Sequence, residues 1–193
     1  MMTAPSDRKG TARPTRTARP GRHGATDAAA ARRWSVALHE SGHVVAAAVL
    51  LGDTCPGAVL LGGGGFAFLA VTEPLSFESA LAVAAGAAAE ELAERHAPPP
   101  TPEPVGDLGR PLPTPAADDV YVLTAFRTAK PDALAIAEWC IRECPDEPER
   151  WRERHAWLDF TAKWFVHRNE LEILSIATKL FVRGIVTLFS ERK

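Results

Sequence analysis

The sequence has no apolar run long enough to cross a bilayer. The nearest, Val44 to Leu51, stops at Gly52-Asp53, well short of the roughly 18 residues a spanning helix needs. No transmembrane segment is expected. The first thirty residues hold no apolar core of the kind a secretory signal requires, so no signal peptide is expected either. Cysteine is scarce. Cys55, Cys140 and Cys144 are an odd number and do not read as a disulfide framework, which points to a reducing compartment and a cytoplasmic location. Cys140 and Cys144 stand four apart, but no second Cys/His pair lies at zinc-finger spacing, and they read as inert helix cysteines. Nucleotide chemistry also lacks its signature. The four glycines Gly62 to Gly65 are followed by Phe66 and not by the Lys-Ser/Thr of a phosphate loop.

Net charge is small, −2 overall, but unevenly placed. Residues 1–33 carry eight Lys/Arg against two Asp, among Arg-Pro, Pro-Gly and Thr/Ala filler. This segment reads as a disordered basic arm. Such an arm can touch an anionic surface through counterion release. No aromatics interleave with its charges before Trp34, so base stacking is unsupported and nucleic acid is not the expected partner. The remaining 160 residues have an ordinary globular composition, enough for one domain with a real core over 34–188, and 189–193 as a short tail.

What is present is concentrated in His39-Glu40-Ser41-Gly42-His43. Two histidines four apart share one face of a helix, with Cβ atoms about 5–6 Å apart. Both can reach one tetrahedral zinc at about 2.0–2.1 Å. Glu40 points to the side, where its carboxylate can hydrogen-bond a zinc-bound water without ligating the metal. The pattern supplies two ligands, His39 and His43, and a general base, Glu40, for metal-assisted hydrolysis. The flanks are apolar, Val36 to Leu38 before and Val44 to Leu51 after, so the helix is expected to be partly buried. Thr26 or Asp27 is its candidate N-cap and Gly52 its terminator. Trp34, Leu38, Val45 and Val49 form its core stripe. Gly42 lowers helix propensity by about 1 kcal/mol relative to Ala, which suggests a close approach at that point.

Downstream, Ala58 to Leu61 and Phe66 to Val71 read as short strands joined by the four glycines. Phe77 to His96 is a second helix capped by Ser76. Eight of the eighteen residues from Pro98 to Pro115 are proline, which predicts an extended loop and not a helix. Further helices are expected from about Asp118 to Phe126, from Lys130-Pro131-Asp132 to about Cys144, from Glu149 to Arg168, and from Asn169 to Arg183 with Gly184 as terminator. Trp157, Phe160 and Trp164 are expected as a core stripe of the third of these, and Leu171, Leu174, Ala177, Leu180 and Phe181 as that of the last. The fold class is mainly α, a helical domain with one small β-hairpin or sheet beside the active-site helix.

Leu38 to Val45 resembles the active-site helix of the FtsH-type zinc metalloprotease family. Ala85-Gly86-Ala87-Ala88-Ala89-Glu90-Glu91-Leu92 is similar to that family's Gly-x-x-Ala-Glu-Glu helix. Asp118-Asp119-Val120, with Thr124 following, resembles its Asn-Asp-hydrophobic…Thr segment. The resemblance implies zinc bound by His39, His43 and Asp119, with Asp118 at the place of the family's Asn, and Glu90 or Glu91 supporting the site. It implies a zinc metalloendopeptidase that hydrolyses peptide bonds of unfolded proteins or peptides. The family's proteases also carry transmembrane segments and an ATPase that feeds substrate. Neither signature occurs in these residues, which leaves a separate unfoldase and a homo-oligomer as expected partners, and a catalytically idle peptidase-like binding module as the alternative.

Overall fold

The first helix, α1 (Arg22–Leu50), runs without interruption through the His-Glu-x-x-His segment and ends where Gly52 takes a left-handed φ of 62°. The computed structural model describes residues 22–52, 56–61, 64–69, 74–100 and 132–188. Helix α1 begins ahead of the expected Thr26/Asp27 cap, so residues 22–33, expected within the basic arm, form its first turns. The remaining elements are β1 (Gly57–Leu61), β2 (Gly64–Phe68), α2 (Phe77–Glu90) with a 3-10 turn at Glu91–Glu94, α3 (Asp132–Arg142), a 3-10 turn at Pro148–Arg150 leading into α4 (Trp151–Arg168), α5 (Glu170–Arg183) and β3 (Ile185–Thr187). The described chain is mainly helical, with one small antiparallel sheet, as its pattern predicts. Among the described residues no helix is long and apolar enough to cross a membrane. The expected helix near Asp118 to Phe126 and most of the proline-rich loop lie outside the described residues.

Eight of the fourteen residues of helix α2 are Ala or Gly, and ten of the fourteen are buried. Such a helix can lie close to a neighbour because no long side chain holds it off. It packs antiparallel on α1, with Gly42 at the tightest point. A Cβ there would stand 2.5 Å from the Ala85 carbonyl oxygen and 2.7 Å from Ala89 Cβ. Here Gly42 does allow close approach. Ser76 caps α2 as expected, its Oγ accepting from Ser79 N at 3.1 Å.

The other face of α1 meets α5. Trp34 packs edge-on to Phe181 with ring centroids 5.8 Å apart, and Arg33 Nε donates to Phe181 O at 3.1 Å. Trp34 Nε1 also donates to His96 O at 2.7 Å, tying the end of the 3-10 turn to α1. Gly184, with φ 78°, stops α5 and turns the chain into β3, an element the sequence did not announce. Strand order is β2-β1-β3, both pairs antiparallel, with Val59 opposite Phe66 on one side and Ala58 opposite Val186 on the other. Strand β2 is therefore an edge, and it lies against α1.

Three expectations about packing are corrected. Trp157, Phe160 and Trp164 do not form the core stripe of α4; they are exposed, and Leu158, Ala162, Phe165 and Val166 are buried in their place. The three aromatics share a helix face, but it is the opposite face, with Leu158, Ala162, Phe165 and Val166, that is buried, and α4 packs against α2. Leu171 is likewise outward, while Ile173, Ile176, Ala177, Leu180 and Phe181 are buried. Val49, near the open end of α1, is exposed as well.

Candidate metal centre

The i,i+4 spacing on α1 sets His39 and His43 side by side, ring centroids 4.6 Å apart. Helix α2 then decides which nitrogen of each ring faces the site. His43 Nδ1 lies 2.9 Å from the Ala82 carbonyl oxygen. A carbonyl only accepts, so Nδ1 carries the hydrogen and donates it. His39 Nδ1 donates to Glu90 Oε1 at 2.6 Å. Both Nε2 atoms are thereby turned the same way. They stand 3.0 Å from each other, and each is 3.1 Å from Asp132 Oδ2 at the start of α3.

With both Nδ1 atoms protonated, neutral histidines leave two nitrogen lone pairs and a carboxylate oxygen converging on one point. Three acceptors this close repel one another unless a proton or a cation lies between them. A tetrahedral zinc with bonds of about 2.0–2.1 Å needs donor atoms about 3.3–3.4 Å apart. The spacing found is within a few tenths of an ångström of that. Two imidazoles and one carboxylate are also the kind of donor set zinc takes when a fourth position stays open. The residues present fit the ion.

Electrostatics point the same way. Three carboxylates, Glu40, Glu90 and Asp132, surround the two rings. Burial opposes charge on His39, but its hydrogen bond to Asp132, the charges of Glu40 and Asp132 and the bond to Glu90 outweigh that and hold its pKa up at about 9. Burial also opposes ionisation of Asp132, yet the hydrogen bonds from His39 and His43 and their charge hold its carboxyl well below the usual carboxylate range. The pocket holds on to positive charge when no metal is there.

Glu40 is 6% exposed, next to His39 in the chain and directly beneath β2. A Cβ on Gly65 would stand 2.7 Å from Glu40 Cγ and 2.8 Å from Glu40 Oε1. Gly65 was expected in the turn; it sits inside β2, and its missing side chain gives Glu40 its room. Burial raises the Glu40 pKa; the nearby histidines His43 and His39 pull it back, and Asp132 and Glu90 add to the rise. Gly86 serves His43 in the same way, since a Cβ there would collide with the His43 ring.

No family model, no curated protein and no solved structure shows significant similarity to the chain. The site must therefore be read from its own residues. His39, His43 and Glu40 lie together as the motif predicts. Of the pair Glu90 and Glu91, it is Glu90 that meets the site, while Glu91 forms an ion pair with Lys163 at 2.8 Å. Asp118 and Asp119 lie outside the described residues. Asp132 supplies the third converging atom, and the sequence marks it only as the start of a helix. Its one signal was a Pro-Asp pair that opens a helix, which places a carboxylate at the end of an element and free to reach a neighbour.

Proposed function

We propose that this chain is a zinc-dependent metalloendopeptidase acting on peptides and unfolded chains. The observation that carries the reading is the convergence of His39 Nε2, His43 Nε2 and Asp132 Oδ2, with buried Glu40 beside them. The resemblance of the α1 and α2 motifs to the FtsH-type peptidases supports it. His39, His43 and Asp132 would hold the metal. Zinc supplies Lewis-acid polarisation of a carbonyl and lowers the pKa of a water.

The chain's own groups supply the rest. Glu40, its pKa raised by burial, takes the proton of the attacking water and returns it to the departing amine. Glu90 and the Ala82 carbonyl keep the two rings in the tautomer that leaves Nε2 free. Edge strand β2 passes directly over Glu40. An extended peptide adding to that edge would be held by backbone hydrogen bonds, with weak sequence selectivity. The same donor set also suits Fe(II), but a buried carboxylate next to the open position is the equipment of hydrolysis.

The test is a Glu40→Gln variant with zinc content measured by elemental analysis. Cleavage of an unfolded protein by the wild type, and its loss in a variant that keeps zinc, is expected. Full proteolysis by that variant would overturn the reading. Zinc without cleavage in either form would favour the idle binding module.

A further inference from the structure

We propose that the outer face of α4 docks on an anionic lipid–water interface. This goes beyond the metal centre and does not depend on it. Trp157, Phe160 and Trp164 are 46%, 69% and 56% exposed. Large apolar side chains gathered on one solvent face usually mark an interaction surface. Here they sit on an 18-residue helix whose opposite side is buried in the fold.

The charges around the face indicate what covers it. The Arg154 guanidinium lies over the Trp157 ring at 5.8 Å, and that of Arg168 over the Trp164 ring at 5.4 Å. Both acids of α4 are already paired, Glu153 with Arg150 at 3.4 Å and Asp159 with Lys163 at 3.2 Å. Among the described residues no carboxylate pairs with Arg154 or Arg168. The two cations set over the indole rings therefore have no ion-pair partner among those residues, while Arg150 and Lys163 are each shared between two carboxylates. An apolar protein partner would bury these two cations with no counter-charge.

An anionic bilayer surface satisfies both features. Indole rings settle at headgroup depth, where one side is apolar and the other wet. Arginines beside them extend to the phosphates and bind them bidentately. A helix with an aromatic face and flanking cations lies in the plane of the interface and does not span it, in keeping with the absence of a spanning helix among the described residues. The eight Lys/Arg of residues 1–33 add attraction of the same sign.

Flotation of the full chain with vesicles tests this. One set is equimolar phosphatidylcholine and phosphatidylserine; the other is phosphatidylcholine alone. The chain is expected to float with the anionic set at low salt, with a blue shift of tryptophan fluorescence, and to stay behind with the neutral set. A Phe160→Ser/Trp164→Ser variant should lose at least about tenfold in partition while keeping its circular dichroism. Trp157 is left in place because it packs on Phe77, ring centroids 5.0 Å apart. Arg154→Gln/Arg168→Gln should weaken the preference for anionic lipid. Failure of the wild type to float would overturn the proposal. So would undiminished flotation of the Phe160→Ser/Trp164→Ser variant, with binding lost instead when the Lys/Arg of residues 1–19 become Gln. Lipid-free dimerisation abolished by the same aromatic substitutions would reassign the face to a second copy of the chain.

Discussion

Glu90 accepts a hydrogen bond from His39 Nδ1 at 2.6 Å, so a glutamate on α2 sets the tautomer of a histidine on α1. With Nδ1–H committed, the Nε2 lone pair is free for a metal. Replacing Glu90 by Gln keeps the shape but removes the charge that strengthens the imidazole as a ligand. Zinc affinity, measured by chelator competition, should fall about 10–100-fold. Glu91→Gln loses only an exposed ion pair to Lys163 and should bind zinc like the wild type.

Asp132→Ala should remove one of three ligands and leave the histidine pair with too few protein donors for a stable site. Zinc content by elemental analysis should drop from near one per chain to a small fraction. Asp119→Ala, the ligand that the family resemblance implies, is the informative control and should retain zinc. Loss of zinc in Asp119→Ala with retention in Asp132→Ala would return the ligand role to Asp119.

Zinc binding should strengthen as pH rises. Without metal, His39 has its pKa raised from the ordinary 6.5 to about 9, so it is protonated at neutral pH. A cation entering the site must displace that proton. Apparent affinity should rise about tenfold per pH unit up to about pH 9 and level off above it. Calorimetry at pH 7.5 in two buffers of different ionisation enthalpy should show about one proton released per zinc bound. The metal-free fold has the same dependence seen from the other side. Its His39 contribution is complete below the unfolded value of 6.5 and is lost as pH rises through about 9.

Much of this was legible in the sequence because one periodicity and one composition carried it. The i,i+4 histidines of α1 and the small residues of α2 mark the two helix faces that meet at Gly42 opposite Ala85 and Ala89. Helix ends at Ser76 and Gly184 were marked by local chemistry. What periodicity does not say is which of two faces turns inward. On α4 the aromatic stripe of Trp157, Phe160 and Trp164 stayed outside, while Leu158, Ala162, Phe165 and Val166 are buried. Strand β3 is three residues long, too short for alternation to show. Asp132 depends on a contact across more than eighty residues of sequence, which no local pattern encodes.

Gly42→Ala sets two effects against each other. Alanine gains about 1 kcal/mol of helix propensity. Its Cβ, however, would lie 2.5 Å from the backbone oxygen of Ala85, which cannot move without parting α1 from α2. Overpacking of this kind costs typically 1–3 kcal/mol, so the net effect should be destabilising by about 1 kcal/mol. Thermal unfolding should then fall by roughly 2–4 °C for a chain of this length. An unchanged or higher midpoint would mean that the two helices are less tightly apposed.

The two glycines that face the site separate metal binding from catalysis. Gly86→Ala pushes on the His43 ring and should weaken zinc binding without altering any ligand atom. Gly65→Ala pushes on Glu40, which is not a ligand. That variant should hold zinc as the wild type does, yet cleave an unfolded protein at least about tenfold more slowly, because a displaced general base loses much of the 10²–10⁴-fold such a group contributes. The contrast isolates the role of Glu40, since both substitutions add one methyl to a glycine lining the same pocket. If Gly65→Ala lost zinc in parallel with Gly86→Ala, the strand over the site would be supporting the metal and not the base.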